Sequence, residues 1–354
     1  MAALAEHGSV KTLTIRVEEE RYVINKFMFR NCHHRSNNED VPDIVDDVTY
    51  HPACHGVEEL HIEAYDSSNP AAGSKHRGLS MPVYYNLGYY DDLSFGSIPS
   101  KALRHLDITN CTTLTSPPPD AFFLCLQDLL LQSCGVSLDT LEAMVMASPR
   151  LDTLHLDYVY ITMQVCYATP ADVDNGYLMD DDRDGSILIQ SFCCPTVTTL
   201  VLLNCRYSGD FTVELDAPRV RRFRYSGKVD VFPLKTPPPD LRQVDLHIFG
   251  SQDCTLFWPF LMNFRNTKAL KLKLKSPIED IAVVDKNEYE ELLNEMWFGN
   301  LERLEVDVKH EPACKGDAAV AIGNLLQCCP ALVDLRLNLS IVEDDRPVLR
   351  NRKA

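Results

Sequence analysis

With 354 residues, 45% of them hydrophobic and 24% charged, the chain has the balance of a soluble globular protein, which excludes disordered, collagen-like and membrane-bundle classes. The 51 Asp and Glu outnumber the 34 Lys and Arg, and the formal charge of −17 repels nucleic-acid backbones and anionic lipid, so neither nucleic acid nor membrane is an expected partner. Thirteen cysteines, with no export signal in the opening MAALAEHGS, read as reduced and mostly buried thiols of a cytoplasmic or nuclear protein.

In chain order the organising pattern is an apolar residue, two variable residues, a second apolar residue, one variable residue and a third apolar residue. Loose copies begin at Val10 and Val57. Clear ones follow at Leu103 (LRHLDI), Leu126 (LQDLLL), Leu151 (LDTLHL) and Val197 (VTTLVL), and further copies start at Val220, Leu241, Leu301 and Leu332. A looser copy at Thr267 takes its second and third apolar positions from Leu270 and Leu272. Successive clear copies from Leu103 lie 23, 25 and 46 residues apart, against a repeat period of about 20–29; the 46 reads as two units with one copy degenerate. Cys111, Cys134 and Cys205 occupy the ninth position of their copies, where a buried small polar group can satisfy backbone as the chain leaves its strand.

Each copy predicts a short strand with its second and third apolar residues inward and the residues between them outward. A return segment completes the unit. Between Cys134 and Leu151 it predicts a helix N-capped by Ser137, with Leu138, Leu141 and Val145 on one face, ended by Pro149. One unit cannot bury its own apolar face, so the units are expected to stack into an α/β leucine-rich-repeat solenoid. The expected form is a curved horseshoe with parallel strands on the concave face and helices or irregular turns on the convex face. The repeat domain is assigned to residues 1–345, clearest over 103–341, with an acidic insertion at about 168–186 and a tail at 346–354.

The units ASPRLDTLHL (Ala147 to Leu156), CCPTVTTLVL (Cys193 to Leu202) and CCPALVDLRL (Cys328 to Leu337) resemble the SCPxLExLxL units of plant F-box proteins with leucine-rich repeats. VELDAPRVRRFRYSG (Val213 to Gly227) is similar to the APxLxxFxYxG segment of that family. The resemblance covers roughly Leu103 to Ile341. It implies substrate recognition for a Skp1–cullin–F-box ubiquitin ligase and ubiquitin-dependent protein degradation, with catalysis on other subunits. The family's opening F-box, LPxxLLxxIxxxL, has no counterpart before Val10, so a Skp1-type adaptor is an expected partner only of a longer form that carries one. The alternatives are a stand-alone repeat binding protein and a small-ligand or inositol-phosphate sensor.

Strand phase places a protein partner on the concave face. The early outward residues, among them Asp107, Asp128 and Asp157, are mildly acidic; later ones form a basic band. Arg222, Arg224, His247, Lys271 and Lys273 are candidate contacts for an acidic or phosphorylated feature, with Asp245 as a cross-strand neutraliser in the competing reading. Leu130, Val201 and Leu203 are candidate apolar anchors if the phase is right, and core residues if it is off by one.

Asp180 to Ser191 has the acidic spacing of an EF-hand loop, but Ser191 stands where the closing Glu belongs, and a solvated acidic insertion explains it. Cys32, His33, His34, His51, Cys54 and His55 could supply zinc ligands, yet their spacing fits no compact finger, and polar loops explain them. No motif for a nucleophile elbow, a phosphate loop or a zinc protease is present, so no catalytic, cofactor-binding or metal residue is assigned and no cofactor is expected; the chain is not read as an enzyme.

Overall fold

The computed structural model describes residues 10–19, 44–66, 92–95, 98–99, 101–111, 113–119, 121–162, 188–207, 211–229, 232–250, 254–283, 297–311 and 316–341. The fold is α/β, with eleven parallel main strands and few helices. The chain divides into two compact units, Met1–Val220 with Val231–Thr236, and Arg221–Asp230 with Pro237–Ala354.

In the first unit the main strands are β1 (Thr12–Glu19), β2 (Glu59–Asp66), β4 (His105–Thr109), β6 (Asp128–Gln132), β8 (Thr153–Asp157) and β11 (Thr199–Leu203), paired in that order and all parallel. Their register aligns Leu13, Leu60, Leu106, Leu129, Leu154 and Leu200 in one row and Ile15, Ile62, Ile108, Leu131, Leu156 and Leu202 in the next. From β2 onward every residue of both rows is buried, each burial contributing about 2–3 kcal/mol of apolar transfer. The intervening side chains are half-buried and outward, which settles the strand phase as the sequence has it. The loose copies at Val10 and Val57 are therefore real strands.

The 46-residue spacing has a different meaning from the degenerate copy expected. Leu154 pairs with Leu200 and Leu156 with Leu202, so β8 and β11 are direct neighbours and no missing rung lies between them. Pairing, not distance along the chain, fixes which strands adjoin.

Around these strands the first unit carries β3 (Asp92–Ser94), β5 (Thr113–Thr115), β7 (Gly135–Ser137), β9 (Tyr160–Thr162) and β12 (Arg206–Tyr207), which form a second parallel sheet. A separate pair joins β10 (Leu188–Cys193) to β13 (Phe211–Asp216). Of its helices, α1 spans Ile44–Thr49 and α2 spans Leu138–Met146. The latter begins where the sequence places it: the Ser137 hydroxyl accepts the Thr140 N–H at 3.0 Å, and Leu138, Leu141 and Val145 are buried.

Several rungs of the first unit share the same backbone devices. Before the strand, an i to i+3 turn closes on the first apolar residue, as from Leu126 N to Phe123 O (3.1 Å) and from Leu151 N to Ser148 O (3.0 Å). One carbonyl then accepts two successive N–H groups of the next rung: Arg104 O takes Gln127 N and Asp128 N, and Gln127 O takes Asp152 N and Thr153 N. After the strand, Asn110, Ser133, Tyr158 and Asn204 adopt left-handed conformations with φ between 53 and 61°. After Asn110, Ser133 and Asn204 the next residue is a buried cysteine: Cys134 donates to Ile108 O (3.4 Å) and Gln132 O (3.2 Å), and Cys205 to Leu156 O (3.4 Å). The thiol ties its own rung to its neighbour, the backbone role its ninth position suggests.

The second unit contains β14 (Arg222–Gly227), β15 (Gln243–Ile248), β16 (Ala269–Pro277), β17 (Arg303–His310) and β18 (Asp334–Ile341), again parallel and sequential. Its inward rows run Phe223, Val244, Leu270, Leu304, Leu335 and Tyr225, Leu246, Leu272, Val306, Leu337. Thr267 is buried in a leading apolar position because its hydroxyl donates to Ala269 O at 3.1 Å. Two helices pack here, α3 (Cys254–Met262) and α4 (Asp317–Gln327). The α3 rings Phe257, Trp258 and Phe260 are buried, Phe260 lies 5.8 Å from Tyr225, and Trp258 Nε1 donates to Ile281 O at 3.0 Å. Strand β18 ends the row exposed, with Leu337 at 37% and Ile341 at 68% of full accessibility.

Candidate recognition face

The side chains between the ladder residues form rows on the outward side of each unit's main strands. In the first unit the middle row is Thr14, His61, Asp107, Leu130, His155, Val201. Imidazoles and carboxylates meet across strands: His61 Nδ1 lies 3.4 Å from Asp107, and His105 Nδ1 lies 2.6 Å from Asp128. At the leading edge Lys11 and Arg104 flank Glu58, and the Lys11 ammonium, hydrogen-bonded to that carboxyl, holds it below the usual range. Leu130, Val201 and Leu203 all lie on this outward side, half-buried. They interrupt the acidic rows with a patch of apolar surface, Leu130 between Asp107 and His155 and Leu203 beside Asp157.

In the second unit the candidate cations occupy the predicted rows, but carboxylates alternate with them. The middle row reads Arg224, Asp245, Lys271, Glu305, Arg336. Arg224 Nε lies 3.5 Å from Asp245, Lys271 Nζ 2.7 Å from Glu305, and Lys273 Nζ 3.1 Å from Asp307. The Glu305 hydrogen bond raises the Lys271 pKa. Neutralisation across strands, the competing reading of this band, thus extends beyond Asp245 to two acids on β17. His247 sits beside Lys273, and burial first, then the charges of Lys273 and Lys275, push its pKa below the ordinary imidazole value. Its ring meets Phe249 edge-on, and Lys275 lies 5.4 Å over the Phe249 ring.

Arg222 differs from the other candidates. It belongs to the leading row of β14, where it is exposed, and it is joined by exposed Arg221, Arg242, Lys268 and Arg303. Lys268 has Glu302 at 3.8 Å; among the described residues no ion pair involves Arg221, Arg222, Arg242 or Arg303. Of this group the sequence singles out Arg222 alone; Arg221, Arg242 and Lys268 escape because only side chains within strands are counted there, and Arg303, though within β17, is not among the candidates. The signal was present as a basic residue directly before three successive strands.

The remaining candidates are placed as follows. Of the calcium-like segment, residues 180–187 lie outside the described residues, and Ser191 is an exposed β10 residue. Cys32, His33 and His34 also lie outside them, whereas His51 accepts the Ala53 N–H as the cap of a short 3-10 turn and Cys54 is buried. Among the described residues no three His, Cys, Asp or Glu side chains converge as a metal site. No described helix is long and apolar enough to cross a membrane. Comparison with protein-family models, curated proteins and solved structures finds no match.

Proposed function

We propose that the chain is a leucine-rich-repeat solenoid of the plant F-box type and that the outward side of its strands recognises a protein partner. The observation that carries this reading is the repeated rung: an apolar ladder in register, a leading carbonyl that takes two N–H groups, and a buried thiol that closes the turn. That frame holds outward side chains in fixed rows at about 4.8 Å intervals, a surface whose content can vary while its backbone does not. By the family resemblance the partner is a substrate for ubiquitination, the ligase chemistry residing on other subunits and adaptor recruitment on a form that carries an F-box. The protein acts in the cytoplasm or nucleus and is not itself a catalyst.

The pairing of Arg224, Lys271 and Lys273 with carboxylates favours protein recognition over a small-anion sensor, which needs unpaired cations converging on one point. Affinity capture with the full chain followed by mass spectrometry tests the proposal. A target recovered with a Skp1-type adaptor supports the ligase reading, and a target alone supports a stand-alone binder. Capture that survives replacement of Leu130, Val201 and Leu203 by Glu together with charge reversal of Arg222 and Arg224 would refute recognition by this face.

A further inference from the structure

The leading edge of the second unit carries cations in a geometry that the backbone enforces. Arg221 O accepts Arg242 N and Gln243 N (2.8 and 3.1 Å), Arg242 O accepts Lys268 N and Ala269 N (3.2 and 3.0 Å), and Lys268 O accepts Glu302 N and Arg303 N (2.9 and 3.1 Å). Each basic residue is thereby locked one strand spacing from the next. Arg222 and Arg303 stand in the adjoining row, three strands apart. All five side chains are exposed, and Glu302 is the one carboxylate that pairs with any of them among the described residues.

We infer that this edge binds an acidic segment of a partner protein, laid across β14 to β17. The inference rests on the proposed role in protein recognition and names the chemistry of the partner. From Arg222 to Arg303 is about 14 Å, three strand spacings, which four or five extended residues cover. Guanidinium groups grip carboxylates through two parallel hydrogen bonds, and among the described residues Arg221, Arg222, Arg242 and Arg303 form no ion pair that must first break, Asp334 beside Arg303 being paired with Arg336. The chain's charge of −17 sets the size of the partner. A long polyanion or a charged membrane would be repelled by the rest of the molecule, whereas a short acidic stretch feels mainly the edge, because screening confines exposed charges to about 8 Å at physiological salt. The mid-face cations lack this capacity, since Arg224, Lys271 and Lys273 are already paired.

The test uses the full chain and a fluorescein-labelled peptide with five consecutive glutamates, read by anisotropy at low salt. Two charge-matched triple variants are compared with the parent: Arg221→Gln, Arg242→Gln, Lys268→Gln at the edge, and Arg224→Gln, Lys271→Gln, Lys273→Gln on the mid-face. The expected result is saturable binding that weakens with salt, a loss of tenfold or more in the edge variant and less than threefold in the mid-face variant, with both retaining the parent's circular dichroism. Equal losses, no binding by the parent, or equally tight binding of a twenty-base-pair DNA duplex or of phosphatidylserine vesicles would overturn the inference. A chain that captures a target yet ignores the peptide would overturn the acidic-segment assignment alone and leave the recognition reading standing.

Discussion

Leu154, the second apolar residue of LDTLHL, and Leu337, the third of LVDLRL, are both ladder residues, but their surroundings differ. Leu154 is 0% exposed, between Leu129 and Leu200; Leu337 is 37% exposed, with Val306 on one side. Truncating Leu154 to Ala removes three carbons, about 2.4 kcal/mol of transfer energy at 0.8 kcal/mol per carbon. The cavity left between two fixed neighbours brings the total to about 3–4 kcal/mol. For Leu337 roughly two-thirds of the transfer term applies and no closed cavity forms, giving about 1.5 kcal/mol at most. With an m-value of about 3 kcal/mol/M, urea midpoints followed by far-UV circular dichroism shift by about 1 M for Leu154→Ala and by about 0.5 M or less for Leu337→Ala. Equal shifts, or a Leu154→Ala midpoint within about 0.3 M of the parent, would refute the claim that in-register stacking, and not the leucine motif alone, stabilises a rung.

Burial pushes the thiols of Cys134 and Cys205 up to about 12 and that of Cys328 up to about 11, so a disulfide exchange reagent at pH 8 should label these sites in urea and leave them almost untouched in the folded chain; rapid native labelling at Cys134 would contradict the ladder role. The imidazole of His247 should titrate below its ordinary 6.5 by NMR, and Lys273→Ala should raise its midpoint; because the folded pKa is the lower one, this group's contribution to stability is present above the unfolded pKa and lost as pH falls through the folded one. A midpoint at or above 6.5 would exclude the buried, cation-flanked setting. Ser137→Ala removes the side-chain acceptor of the Thr140 N–H and should lower stability by about 1 kcal/mol, measured by the same urea titration; no change would mean the cap is idle.

The strands were legible because apolar phase is a local property: alternation in DLLLQ and TLHLD decides which side chains turn inward without knowledge of any neighbour. The helix after Ser137 was legible for the same reason, cap and apolar face lying in one short run. What escaped depends on relations between rungs. Tyr158 and Val159 fill the left-handed and buried positions that Asn110 and Cys111 fill two rungs earlier, a substitution no pattern of residue types announces. Glu305 and Asp307 neutralise Lys271 and Lys273 because β17 lies beside β16, although 34 residues separate each pair in the sequence. Arg221, Arg242 and Lys268 precede their strands, and it is the shared carbonyls between rungs that hold them in register.

The distance along the chain between adjoining rungs varies twofold, 47 residues from Thr12 to Glu59, 46 from Thr153 to Thr199, yet only 23 from His105 to Asp128. Closing a loop twice as long costs only about 0.6 kcal/mol in entropy, less than one buried leucine contributes. Insertions are therefore nearly neutral wherever the polypeptide rejoins its neighbour in phase. New sequence can accumulate between rungs over evolutionary time, and a foreign segment can be spliced there by an engineer, while the outward rows keep their places.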